Sequence, residues 1–127
     1  MIDAMEKKKP SIYAFDFDGT IAEYHGFKAH DHELPPHEEV VKAIRILKER
    51  GNKIIIFSTR GEEFLEKYCE KYNIPFDYIN ENPELEGENR GKPIAKVYID
   101  DRSLCYKGQF AEELVDEVVN FKAHWEK

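Results

Sequence analysis

"KIIIFSTR", residues 53–60, holds three consecutive isoleucines and a phenylalanine, then turns polar at once. Side chains of a strand alternate between its faces, so an apolar run without alternation predicts a strand buried on both sides. Such strands belong to parallel sheets covered by helices, and the flanking sequence agrees. Upstream, "SIYAFDF" (11–17) is a β-prone run with Ile12, Tyr13, Phe15 and Phe17. Between the two strands lies a well-punctuated helix. Pro36 stands at its start, Glu38 and Glu39 in the first turn, Lys48 and Arg50 in the last, and Gly51 follows as a stop. Val40, Val41, Ile44 and Leu47 recur at helical spacing.

Downstream, Phe64, Leu65, Tyr68 and Tyr72 mark one side of a second helix with Asn73 as its stop, and the aromatic residues there read as core. "IPFDYIN" (74–80) reads as a short third strand and "ENPELEGENRGKP" (81–93) as a loop. "AKVYID" (95–100) reads as the fourth strand. The segment 110–127 has the pattern of an amphipathic helix with Phe110, Leu114, Val118, Phe121 and Trp125 on a buried stripe. Strands alternating with helices predict an α/β fold, a three-layer Rossmann-like sandwich with a doubly wound, mostly parallel sheet.

The chain has 127 residues, so residues 1–127 are expected to form a single domain, with 21–36 as a flap or loop. A net charge of −7 argues against general nucleic-acid binding or an anionic membrane surface, both of which need a basic face. No apolar run spans a bilayer, and the first residues lack the core of a signal peptide. Cys69 and Cys105 form no CxxC pair and read as reduced thiols, which points to a cytoplasmic protein.

Open α/β sheets bind ligands beyond the carboxyl ends of their strands. Three predicted strands end there in polar residues: "FDFDGT", "FSTR" and "YIDDRS". Asp16 and Asp18 are alternate residues and share a face in extended backbone. Gly19 permits a tight exit close to a ligand. Asp100 and Asp101 end another strand, and four converging acids repel unless a cation sits among them. Hard oxygen donors with open water positions suit Mg²⁺. Ser58, Thr59, Arg60 and Lys92 supply the donors and positive charge that a phosphoryl group requires.

These residues carry a resemblance. "DFDGT", "IIIFSTR", Lys92 in "GKP", and "VYIDDRS" resemble, in order, the four motifs of the haloacid dehalogenase-like phosphatase superfamily, spanning residues 12–103. The resemblance implies a Mg²⁺-dependent phosphomonoesterase working through an aspartyl-phosphate. Asp16 would be the nucleophile and Asp18 the acid and base. The metal would be held by Asp16, the backbone carbonyl of Asp18 and Asp100, with Asp101 supporting from behind. Thr59, with Ser58 adjacent and in competing register, would bond a phosphoryl oxygen. Lys92 would neutralise the nucleophile and the phosphate, with Lys96 the competing candidate. Thr20 would brace the loop. An acid at the position of Asp18 favours phosphoester hydrolysis over dehalogenation or ATPase chemistry.

Residues 21–36 and 61–91 leave no room for a cap domain. The resemblance then implies an open site for a phosphorylated substrate, or a homo-oligomer in which a partner subunit supplies the lid. Asn80 and Asn82 are candidates to line the site from the loop after the third strand. Arg60 and Arg102 read equally as site residues or surface ion pairs. His25, His30, His32 and His37 crowd into the flap, but their spacing fits no common zinc pattern, and contact with substrate is the favoured role. Two alternatives stand beside the enzyme: a non-catalytic module binding a phospholigand or partner, and a receiver-like signalling module. The order of motifs disfavours the second, because a receiver places its acidic pair on the first strand.

Overall fold

The computed structural model describes residues 10–26 and 33–127. His30 and His32 lie outside the described residues. Four strands, β1 (Ile12–Asp16), β2 (Lys53–Phe57), β3 (Tyr78–Ile79) and β4 (Val97–Ile99), form one sheet in the order β3-β2-β1-β4. Every pairing is parallel. Helices α1 (Glu38–Glu49) and α2 (Glu62–Tyr72) connect β1 to β2 and β2 to β3, and α3 (Ala111–Asn120) follows β4. This is the Rossmann-like α/β core that the alternation of strands and helices predicts, and the described residues build no cap over it.

The isoleucine run is the centre of the molecule, with Ile54, Ile55 and Ile56 wholly inaccessible to solvent. Ile54 and Ile56 join Phe15, Phe17, Val41, Ile44, Leu65 and Tyr68 in one apolar cluster. Burial of each large side chain contributes roughly 1.5–3 kcal/mol. Phe17 meets the ring of Tyr68 edge-on at 4.7 Å and that of Phe64 at 5.9 Å. The Tyr68 hydroxyl, carried into the core, donates to the carbonyl of Leu34 at 2.6 Å. Helix α1 starts after His37 with the two glutamates in its first turn, and Arg50 and Gly51 end it as their positions suggest. Asn73 closes α2 in the left-handed region with φ 57°.

Two stretches depart from the sequence reading. The third strand is reduced to Tyr78–Ile79, and the Asp77 side chain just before it accepts bonds from Lys48 Nζ at 2.7 Å and the Ile54 amide at 2.8 Å. The expected stripe on the last helix is not buried. Helix α3 stops at Asn120, Phe121 is extended, and no residue of α3 is buried. Phe110 is 81% exposed and Val119 74%. The pattern gives α3 an apolar face, but nothing among the described residues covers it. Phe121 and Trp125 leave the helical register, and Trp125 belongs to a short 3-10 turn, His124–Glu126. Cys69, in the core, and Cys105, at the surface, are both free thiols.

Candidate functional site

Asp16 is the last residue of β1, and Asp100 follows the last residue of β4. The register pairs Phe15 with Ile99, so the next rung sets Asp16 beside Asp100 on neighbouring strands. Strands lie about 4.8 Å apart, which fixes the proximity of the two acids through the backbone. Asp101 joins them. One carboxylate oxygen from each of Asp16, Asp100 and Asp101 lies within 4.8 Å of the other two. The Asp101 carboxyl thus stands within reach of the other two. The side chain of Asp18 stands outside this trio.

The turn after β1 positions the rest. The Thr20 and Ala22 amides both donate to the Phe17 carbonyl, at 3.2 and 2.9 Å, and the Ile21 amide donates to the Asp16 carbonyl at 3.3 Å. Gly19 is left-handed with φ +87°, and a methyl group on it would overlap the Asp101 carboxylate. Only glycine satisfies both conditions. Thr20 Oγ1 donates to Asp16 Oδ2 at 3.4 Å, while the Thr20 carbonyl lies 2.8 Å from His37 Nδ1. Thr20 and His37 thus brace the loop from behind. His25 lies 3.6 Å from Glu23.

Asp16, Asp18, Ser58, Thr59, Arg60, Asn80, Asp100 and Asp101 all line one cavity of about 750 Å³, together with Tyr24, Arg90 and Arg102. Ser58 and Thr59 follow β2, with Ser58 partly buried and Thr59 exposed. The Asn80 side chain accepts the Ser58 amide at 2.8 Å from a left-handed backbone, φ 60°, so it fixes the end of β2 as well as facing the cavity. Arg60 grips Asp18. Its Nε lies 2.9 Å from Oδ2 and its Nη2 3.0 Å from Oδ1, a forked pairing. The guanidinium also lies over the ring of Phe64 at 4.7 Å.

Gly19 and Thr20 do not line this cavity, and Lys92 and Asn82 lie elsewhere. Lys92 is absent from the lining of this cavity. Its ammonium sits 5.2 Å from the centre of the Tyr98 ring, in an adjoining cavity that shares Asp100 and Phe57 and also holds Lys96. Asn82 is only 1% exposed, because its side chain donates to the Ile94 carbonyl at 2.8 Å and accepts the Glu84 amide at 3.0 Å. It holds the loop 80–96 together instead of facing the site. Tyr24, Arg90 and Trp125 were not legible as site residues. Arg90 pairs with Glu62 and Glu81, and Arg102 lies over the Trp125 ring at 4.7 Å. No local pattern signals such contacts between distant segments.

The trio is electrostatically loaded. Burial, a hydrogen bond with Asp101 and the charges of Asp100 and Asp101 push the Asp16 carboxyl up from 3.8 to about 9. Burial also pulls Asp101 upward, but hydrogen bonds from Trp125 and within the trio outweigh it and hold Asp101 below its usual value. The two carboxyls are thus pushed in opposite directions, Asp16 up and Asp101 down. A divalent cation fits the donor set: hard oxygens only, close to one another, with mutual repulsion that a positive charge would relieve.

Fold and site together define a parallel Rossmann-like α/β protein with an acidic centre at the carboxyl ends of its strands. Residues 13–123 match the model of the haloacid dehalogenase-like hydrolases, and the chain belongs to that family. Among solved structures, a conserved protein from Bacteroides thetaiotaomicron has the same fold, with a TM-score of 0.60 and 22% identity over 87% of this chain and 90% of that one. No curated protein sequence matches the chain. No helix of the described residues is long and apolar enough to cross a membrane.

Proposed function

We propose that this hydrolase is a Mg²⁺-dependent phosphomonoesterase that forms and hydrolyses an aspartyl-phosphate on Asp16. The observation that carries the reading is the convergence of Asp16, Asp100 and Asp101 in one cavity with Asp18, a second acid, held just outside the trio. A bound Mg²⁺, held by Asp16, Asp100 and Asp101, would offset their mutual repulsion and the charge of a phosphoryl group.

Asp16 attacks phosphorus in line, forming an acyl-phosphate bond as the bond to the leaving oxygen breaks. Asp18 delivers a proton to that oxygen. In the second half, Asp18 takes a proton from the water that attacks phosphorus, and Asp16 departs as a carboxylate. Arg60 fixes the direction of the Asp18 carboxyl through its two-point contact. Ser58 and Thr59 donate to the phosphoryl oxygens from the end of β2. Lys92 is the cation for the phosphoryl group in this reading and serves it after leaving the ring of Tyr98. The substrate class is a phosphomonoester.

The test is release of p-nitrophenol from p-nitrophenyl phosphate with Mg²⁺ and with EDTA, for the wild type, Asp16→Asn and Asp18→Asn. Turnover that needs Mg²⁺ and is lost in both variants is expected. Turnover that survives Asp16→Asn, or that ignores EDTA, would overturn the assignment.

A further inference from the structure

The 3-10 turn His124–Glu126 touches both acid-bearing loops at once. Trp125 Nε1–H donates to Asp101 Oδ2 at 2.5 Å. His124 Nε2 lies 2.6 Å from the carbonyl of Gly19, the residue after Asp18. Since a carbonyl only accepts, His124 carries its proton on Nε2. The indole has two further neighbours, the Tyr24 ring in a T-shaped contact at 4.7 Å and the Arg102 guanidinium over the ring at 4.7 Å. Ala123, just before the turn, is 1% exposed, and its amide donates to Glu126 Oε1 at 2.9 Å, which closes the turn on itself. These contacts are built, since the turn is pinned by its own bonds and the indole by two neighbours.

The bond to Asp101 matters because of where Asp101 sits. Its carboxylate belongs to the trio with Asp16 and Asp100, and once all three are ionised their like charges push it away from the other two. A donor bonded to one of its oxygens holds that oxygen in place and so sets the direction of the carboxyl group. From this we infer that Trp125 is a positioning residue. It aims the Asp101 carboxylate at the metal position, and His124 holds the Gly19 turn against it so that the loops after β1 and β4 move as one unit. The inference rests on the proposed metal-dependent reading of the site, but it concerns cation binding and not turnover.

Trp125 is the only tryptophan in the chain, so intrinsic fluorescence reports on this contact directly. Mg²⁺ titration of the wild type should change tryptophan emission saturably, with the midpoint that calorimetry gives for Mg²⁺ binding. Trp125→Phe keeps an aromatic ring and removes the N–H. It should weaken Mg²⁺ binding about 10–100-fold by calorimetry, as loss of a bond that orients a metal ligand does. Saturating Mg²⁺ should restore most of kcat, since the substitution touches no reacting atom. Mg²⁺ affinity unchanged in Trp125→Phe, or wild-type emission indifferent to bound Mg²⁺, would overturn the inference while leaving phosphatase activity intact. Weakened binding in a protein without phosphatase activity would uphold the inference and sink the functional reading. Should Trp125→Phe fail to fold, the wild-type emission titration decides alone.

Discussion

Replacing Asp16 with asparagine should make the metal-free protein more stable, by an amount that grows with pH. In the unfolded chain Asp16 loses its proton near 3.8, whereas in the folded trio it holds one up to about 9. Between those values the native state binds one more proton than the unfolded state, so stability falls as pH rises, by at most about 1.4 kcal/mol per unit. The opposite shift of Asp101 does not interfere: its contribution is present above its unfolded value and is lost only in acid, as pH falls through its depressed folded value. Four units of displacement at pH 8 would set a ceiling of roughly 5 kcal/mol, but the cavity admits solvent and its charges are screened, so about 1–3 kcal/mol is expected. Asparagine carries no charge and can donate to Asp101, which removes the repulsion without emptying the space. For a chain of this size 1 kcal/mol moves Tm by about 3–6 °C. Thermal unfolding in EDTA between pH 6 and 8.5 should therefore show Asp16→Asn above the wild type, with the gap widening toward alkaline pH. Mg²⁺ should narrow the gap from the wild-type side, adding about 2.7 kcal/mol at a hundred times its Kd. A wild type more stable than the variant in EDTA, or a gap that does not change with pH, would refute the reasoning.

Arg60→Gln should lower kcat about 10- to 100-fold, a fraction of what a general acid contributes, with little change in KM. The deficit should be larger for an alkyl phosphate than for p-nitrophenyl phosphate, whose leaving group needs no proton, and Arg60→Lys should recover little because an ammonium cannot fork across both oxygens of Asp18. An equal loss on both substrates in the phosphorylation step, read by single-turnover kinetics, would show that Arg60 does not act through Asp18 as the acid. Gly19→Ala combines a left-handed backbone with a methyl group against Asp101, and should cost about 2–4 kcal/mol in urea unfolding while weakening Mg²⁺ binding by calorimetry. Ile44→Ala should cost about 2–5 kcal/mol, whereas Val119→Ala on the exposed face of α3 should stay within about 0.5 kcal/mol. A large loss for Val119→Ala would mean that the face is covered in solution.

What was legible in the chain was what short-range pattern encodes. The isoleucine run, the two punctuated helices and the polar residues closing β1, β2 and β4 each announce themselves within a dozen residues, and together they dictate a parallel sheet with its acids at one end. What was hidden depended on partners distant in sequence. Helical spacing gives α3 an apolar face but says nothing about what meets it, and Val118 and Val119 stay in solvent. Asn82 has the same chemistry as Asn80, yet one is consumed by the loop and the other faces the cavity. Lys92 is a cation in the right order along the chain, but order does not decide whether its ammonium turns to the carboxylates or to the Tyr98 ring. Trp125 read as one more position on an apolar stripe, because nothing nearby marks the end of α3 at Asn120.

The site and its instability have a common origin in the sheet. Adjacent parallel strands that both end in aspartate must place the two carboxylates about one strand spacing apart, whatever the loops do. Asp101 then adds a third charge from the same loop. The arginines that line the cavity have partners of their own. Arg60 is committed to Asp18, Arg90 to two glutamates, and Arg102 lies over an indole. What the residues around the trio supply instead is direction: Trp125 and the amide of Arg102 donate to the outer carboxylates, and Ser103 adds a hydroxyl to Asp100 at 3.0 Å. Donors that orient acids without cancelling their charge leave a centre of negative potential with fixed geometry. That is the arrangement a small divalent cation requires, and a nearby cationic side chain in full contact with the trio would compete with it. Burial and the charges of Asp100 and Asp101 hold the Asp16 carboxyl well above its ordinary value, and a bound cation would relieve the same repulsion.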